Sequence, residues 1–198
     1  MGFKNILTIP PFHSNYSHSS SSEITPNLPF VLYHGNLNVP ENNIAVRFLL
    51  QHIFTNKNIK YVIAGSCNNI KLREKILQHP NIKLIPNPDS QQIEELLRSA
   101  NVIVLPTFQN TGIKLKLIES LYKGNHIITN EQMVDGFPLP QLVKIAKSND
   151  QFHRLIREAL SHPLEDEKRA ERVKMLDIFF SNEDNAQKMI EAFYNLSR

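Results

Sequence analysis

Apolar residues fall in short blocks along the chain, and the spacing inside and between the blocks predicts the elements. Phe30-Val31-Leu32-Tyr33-His34-Gly35 is a short apolar run ending in glycine, the pattern of a buried strand. From Glu41 to Thr55, Ile44, Val46, Phe48, Leu49 and Ile53 recur close to helical spacing, and Pro40 stands where a helix start tolerates it. Residues 60–66 (KYVIAGS) predict a second strand and 68–78 a second helix, stopped at His79-Pro80. Residues 81–86 (NIKLIP) predict a third strand. Residues 90–99 predict a third helix, with Ile93, Leu96 and Leu97 on one face and Asp89 or Ser90 as its cap. Residues 101–106 (NVIVLP) form the clearest strand, β-branched and bounded by polar residues. A helix over 113–122, ended by Gly124, a strand over 125–129 and a sixth strand within 141–146 complete the alternation.

Strands alternating with helices at such short intervals predict βαβ units: a Rossmann-like, doubly wound parallel α/β sheet of about six strands with helices on both faces. The last fifty residues predict helices alone, over 150–161, 165–180 and 182–196, with Asn182 as a cap and Glu183 and Asp184 in the first turn of the third. At the other end, residues 3–9 have the composition of a short strand. Residues 10–29, with Pro10-Pro11, Ser19 to Ser22, Pro26 and Pro29, predict a linker without a core. The expected division is therefore a segment of residues 1–29, then one domain of residues 30–198.

Composition narrows the function. The formal net charge of +3, from 22 basic and 19 acidic scattered residues, builds no strongly basic face, so no nucleic-acid partner is expected. Cys67 is the single cysteine. It has no partner for a disulfide or a zinc site, which suits a reducing, cytoplasmic setting. No apolar run reaches the length of a membrane span and no signal peptide is evident. The Met-Gly start lacks the Ser or Thr of a myristoylation pattern, having Ile6 instead.

Open parallel sheets bind ligands beyond the carboxyl ends of their strands. That rule selects residues 34–40, 66–69, 86–90, 107–112 and 130–136. The most informative is the run from Thr107 to Glu119 (TFQNTGIKLKLIE), polar, with Gly112 just where a helix begins. Glycine there lets backbone approach a ligand, and free N–H groups at a helix start hold phosphate. Lys114 and Lys116 place positive charge against the helix dipole, a local cost more easily understood if an anion binds. Ordinary solvated lysines are the plainer alternative. Glu119, further into the helix, could accept two hydroxyl hydrogen bonds from a ribose, or be an ordinary surface glutamate.

Residues 101–130 (NVIVLPTFQNTGIKLKLIESLYKGNHIITN) resemble the signature segment of glycosyltransferase family four, a retaining family of the GT-B fold. Its second signature Glu matches Glu119 and its Gly matches Gly112, while its first Glu falls on Thr111. The Thr-Gly-Ile-Lys-Leu-Lys version is similar to a branch of bacterial polysaccharide-assembly transferases. Residues 33–37, 62–66, 81–88 and 93–97 agree with the order of elements before the signature, so the resemblance spans about residues 30–146. It implies a nucleotide-sugar-binding site of Gly35, Asn36, Ser66, Asn87, Thr111, Gly112, Lys114, Lys116 and Glu119. The base would lie near Ser66 and Asn87, the ribose at Glu119, and the phosphates at Gly35, Gly112 and Lys114 or Lys116. No catalytic residue is assigned. The family's Arg and Lys after the first strand are not evident in residues 36–43, and Lys114 or Lys116 would have to substitute. The resemblance further implies that the chain is the donor half of a hexose-transferring enzyme whose N-terminal acceptor domain is missing, with weak nucleotide binding and little turnover when alone. It leaves room for peripheral membrane association of the full enzyme.

Other chemistries lack their motifs. There is no Asp-x-Asp to hold a divalent ion, which fits the metal-independent chemistry that the resemblance implies, so neither cofactor nor metal is expected. Phosphate-binding glycine loops of other families and the Gly-x-Ser-x-Gly elbow are absent. Of the eight histidines, His13 and His18 fall in the expected linker, His52, His79, His153 and His162 lack ligand spacing, and His34, at a strand end, reads as a core histidine. The competing hypothesis is a degenerate, non-catalytic domain kept for scaffolding or partner binding. A receiver-type signalling domain would need an Asp at a strand end, and none is present.

Overall fold

The computed structural model describes residues 7–13, 29–109 and 114–196. Six parallel strands, β1 (Phe30–His34), β2 (Lys60–Gly65), β3 (Ile82–Pro86), β4 (Val102–Val104), β5 (His126–Thr129) and β6 (Lys144–Ile145), form one sheet in the order β3-β2-β1-β4-β5-β6. The order reverses between β1 and β4, and this is the switch point where such sheets leave a crevice. The four central residues Val31, Leu32, Val62 and Ile63 are wholly buried, as strands covered on both faces must be.

The helices are α1 (Pro40–Phe48), α2 (Ile70–Leu77), α3 (Ser90–Ser99), α4 (Leu115–Lys123), α5 (Glu131–Val134), α6 (Asn149–Ser161), α7 (Asp166–Phe180) and α8 (Asn182–Leu196). α6 packs with α1's continuation over β4 and β5, whereas α3, α4 and α7 pack together. Local chemistry sets several ends. Asp89 caps α3 in a complete capping box with Gln92, and Asn69 and Ser148 cap α2 and α6 through their side chains.

The observed elements depart from the sequence reading at three places. The helix expected over 41–55 is α-helical only to Phe48, then widens to a π-helical turn over Leu49–Ile53. The turn closes with the Phe54 amide donating to the Leu49 carbonyl at 2.6 Å. It brings Leu49, Leu50, Ile53 and Phe54 all into the core, where Phe54 stacks on Tyr61 at 4.2 Å. The sixth strand is only Lys144–Ile145, because Pro140–Leu142 forms a 3-10 turn. Residues 7–9 belong to no strand, and residues 3–6 of that expected strand lie outside the described residues.

His13 is held rather than loose. Its ring stacks on Tyr122 at 4.1 Å, its amide donates to Asn182 Oδ1, and its carbonyl accepts from Asn182 Nδ2. Local sequence gives no sign of this, since Asn182 is 169 residues away.

Candidate functional site

Three loops meet at the carboxyl ends of β1, β2 and β3. The Gly35 amide donates to the Ala64 carbonyl at 3.0 Å, Leu37 to the Ser66 carbonyl at 2.8 Å, and Asn87 to the Gly65 carbonyl at 3.4 Å. The contact is close enough to dictate glycine. A Cβ on Gly65 would lie 1.8 Å from the Gly35 carbonyl oxygen, and both glycines have φ of +154°. Asn87 holds a left-handed φ of 50°, which asparagine tolerates better than most residues. Gly35, Asn36, Ser66 and Asn87 thus share one continuous rim.

Across the switch point, α4 delivers the two lysines. Lys114 is its N-cap residue and no side chain caps this end. Lys116 Nζ donates to Asn42 Oδ1 at 2.7 Å and lies 5.5 Å from the Tyr33 ring centre. Asn42 in turn donates to the Asn36 carbonyl at 2.9 Å and accepts from the Tyr33 hydroxyl at 3.2 Å. Lys116 is therefore tied to the β1 loop through one asparagine. Lys114 Nζ donates to the Gln109 carbonyl at 3.0 Å and stands 3.9 Å from Glu41. Glu41 also accepts a 2.7 Å hydrogen bond from Thr107 Oγ1. Thr107 is fixed by a reciprocal pair with Asn130: its amide donates to Asn130 Oδ1, and its carbonyl accepts from Asn130 Nδ2.

The cations opposing the α4 dipole thus already have an internal counter-charge, Glu41 in the first turn of α1. The reading that a bound anion best explains the cost, with solvated lysines as the alternative, did not weigh this residue. A Glu right after Pro40 reads locally as an ordinary first-turn acid, and only its position beside the switch point could have flagged it.

Glu119 sits further along α4. Its Oε1 is 3.2 Å from Lys123 Nζ, which also lies 3.4 Å from Glu94 Oε2, and Glu94 is paired with Arg98 at 2.8 Å. The Lys123 side chain is 3% exposed and that of Glu119 31%, so a buried cation anchors a carboxylate that still reaches the surface. His34, buried at the end of β1, bonds through Nε2 to Ser120 Oγ at 2.8 Å. The structure brings Gly35, Asn36, Lys114, Lys116 and Glu119 around the β1/β4 switch point, with Ser66 and Asn87 along the β2–β3 side. Thr111 and Gly112 lie outside the described residues.

Burial shapes the electrostatics. It lowers the Lys116 pKa to about 8, with Glu41 opposing the shift and Lys114 adding to it. Burial also lowers His34 to about 4, against the field of Glu119 and with those of Lys116 and Lys123. His34 is thus neutral at physiological pH. The Tyr33 hydroxyl is pushed far up by burial and then by Glu41, so it remains a hydrogen-bond donor. The arrangement offers an anion two cations of different character: Lys114, and a partly desolvated Lys116 on a fixed asparagine.

Taken together, the strand order and the switch-point crevice define a Rossmann-like α/β domain. The chain belongs to the family of glycosyl transferases group 1, which matches over residues 29–157. Among solved structures, a glycosyltransferase from Rickettsia africae ESF-5 superposes with a TM-score of 0.64 at 13% identity, covering 89% of this chain and 50% of that one. AviGT4, a glycosyltransferase of avilamycin A biosynthesis, gives 0.60 at 13% identity, covering 84% and 51%. An E. coli trehalose-6-phosphate structure bound with UDP-2-fluoro glucose gives 0.56 at 11% identity, covering 83% and 44%. The chain thus spans about half the length of these structures. No curated protein matches it. No helix among the described residues is long and apolar enough to cross a membrane.

Proposed function

We propose that this chain is the nucleotide-sugar-binding domain of a retaining hexosyltransferase acting on a glycan or lipid-linked acceptor in polysaccharide assembly. The observation that carries the reading is the meeting of Lys114 and Lys116 with the Gly35–Asn42 loop at the sheet's switch point. This is where a donor diphosphate needs positive charge, and where residues 36–43 supply no cation of their own. The phosphates would lie at Gly35, Lys114 and Lys116, with Gly112 contributing backbone. Glu119, oriented by Lys123, would take the ribose hydroxyls, and the rim at Ser66 and Asn87 the base. As the sugar–phosphate bond breaks, the leaving diphosphate gains charge, and preorganised cations stabilise that charge most. The acceptor and the remaining groups would come from a second domain, as the half-length coverage of the similar structures suggests.

A non-catalytic domain is the second reading, and Glu41 favours it. A carboxylate 3.9 Å from Lys114 occupies part of the field that a phosphate would need. Calorimetric titration with UDP, GDP, ADP and CMP, on the native chain and on Glu119→Ala and Lys114→Ala, separates the two. Selective binding of one diphosphate, weakened by both substitutions, supports the donor site. No binding of any nucleotide at millimolar concentration overturns it in favour of the non-catalytic domain.

A further inference from the structure

A second cleft lies at the opposite end of the sheet, beside the amino-terminal ends of β5 and β6. It has a volume of about 340 Å³ and is lined by His126, Lys144, Lys168 and Arg172, with Leu142 and Leu164 among its apolar walls. This is at the small end of the range of ligand pockets, about 300–1,000 Å³. Among the described residues, none of those lining it is acidic.

The charge is of one sign and is built in. Arg172, 6% exposed, is fixed by donating to the Asn125 carbonyl at 2.6 Å and to the Gly124 carbonyl. Lys144 begins β6, so its backbone is set by the sheet. Lys168 has an exposed companion in Glu165, at 3.0 Å. His126 Nε2 is held by the His162 carbonyl at 2.7 Å. Burial lowers its pKa, the hydrogen bond to the His162 carbonyl opposes that, and the fields of Lys144, Arg172 and His162 lower it further. Like charges gathered on a partly apolar cleft repel one another, and an anion relieves that repulsion.

We propose that this cleft binds a small phosphate ester, its dianion between Lys144, Lys168 and Arg172 and its carbon skeleton against Leu142 and Leu164. Three cations suit a dianion better than a carboxylate, and the apolar walls suit an ester better than free phosphate. The site is separate from the switch-point crevice and does not depend on what binds there. Arg172 also holds the Gly124 carbonyl at the end of α4, the helix that carries Lys116 and Glu119.

The test follows the histidine imidazole resonances by NMR while glycerol 3-phosphate is added, with sodium chloride at matched ionic strength as the control. His126 and His34 report the two ends of the sheet separately. The expected result is a saturable shift of His126, at concentrations where the chloride control leaves it unmoved. Affinity should fall at least tenfold in the double variant Lys144→Gln/Lys168→Gln, and stay unchanged in Lys114→Ala. Both replaced lysines lie outside the hydrophobic core, so the variant keeps its fold, which its unchanged His34 resonance verifies. A His126 resonance that moves no more than with chloride overturns the proposal. So does a double variant that binds as tightly as the native chain.

Discussion

Replacing Glu41 by glutamine is the sharpest perturbation of the switch-point site. Glutamine keeps the size and can still accept the Thr107 hydrogen bond, so the change is mainly one of charge. Two unit charges at the 3.9 Å Lys114–Glu41 separation attract by about 1 kcal/mol in bulk water and about 4 kcal/mol under protein-surface screening. The Glu41 side chain is 23% exposed and the Lys114 side chain 10%, so screening is partial and the attraction lies between these limits. A phosphate must share Lys114 with that carboxylate and also bear its repulsion. Removing the charge should therefore tighten nucleoside diphosphate binding by about 1–2 kcal/mol, roughly five- to thirtyfold. A second effect runs the other way, since Glu41 raises the Lys116 pKa and its loss would let Lys116 deprotonate sooner. The titration therefore belongs near pH 6.5, where Lys116 stays charged in either protein. Affinity for UDP, GDP and ADP that is unchanged or weaker in Glu41→Gln at that pH would refute the assignment of the phosphates to Lys114.

Other substitutions and conditions test neighbouring parts of the argument. Gly65→Ala should cost about 3 kcal/mol or prevent folding, because its Cβ meets a backbone oxygen that cannot swing aside; urea midpoints measure it, and a loss below about 1 kcal/mol would contradict the close approach. Diphosphate affinity should fall about tenfold or more as pH rises from 7 to 9.5, since Lys116 loses its proton near 8; Lys116→Met should show a flatter profile from a weaker start. His34, with a folded pKa near 4 against about 6.5 unfolded, contributes stability that is complete above pH 6.5 and is lost as pH falls toward 4. That loss amounts to about 3 kcal/mol, and His34→Gln should remove it; identical pH slopes of stability in the two proteins would show that His34 is not the group responsible.

Much of this protein is legible in its sequence, because its elements are local. Blocks such as VIVL and YVIAG are apolar throughout, with β-branched residues, and read as strands covered on both faces. The turn chemistry at Asp89 and Gly124 ends helices within a residue or two of where they end in the fold. Alternation then leaves few topologies, and with them comes the rule that loops at strand ends carry the site. Lys114, Lys116 and Glu119 could be singled out that way from helix position and charge alone. What tertiary structure decided is which groups these residues meet. Asn42 is 74 residues from Lys116 and Glu41 is 66 from Thr107, and no periodicity links them. They meet because the strand order places β1 beside β4, so the first turns of α1 and α4 open onto the same crevice. The same adjacency of β1 and β2 presses Gly65 onto the Gly35 carbonyl. Sheet order and crossover hand are properties of the whole chain, and they determine which charges neutralise one another and which stay available for a ligand.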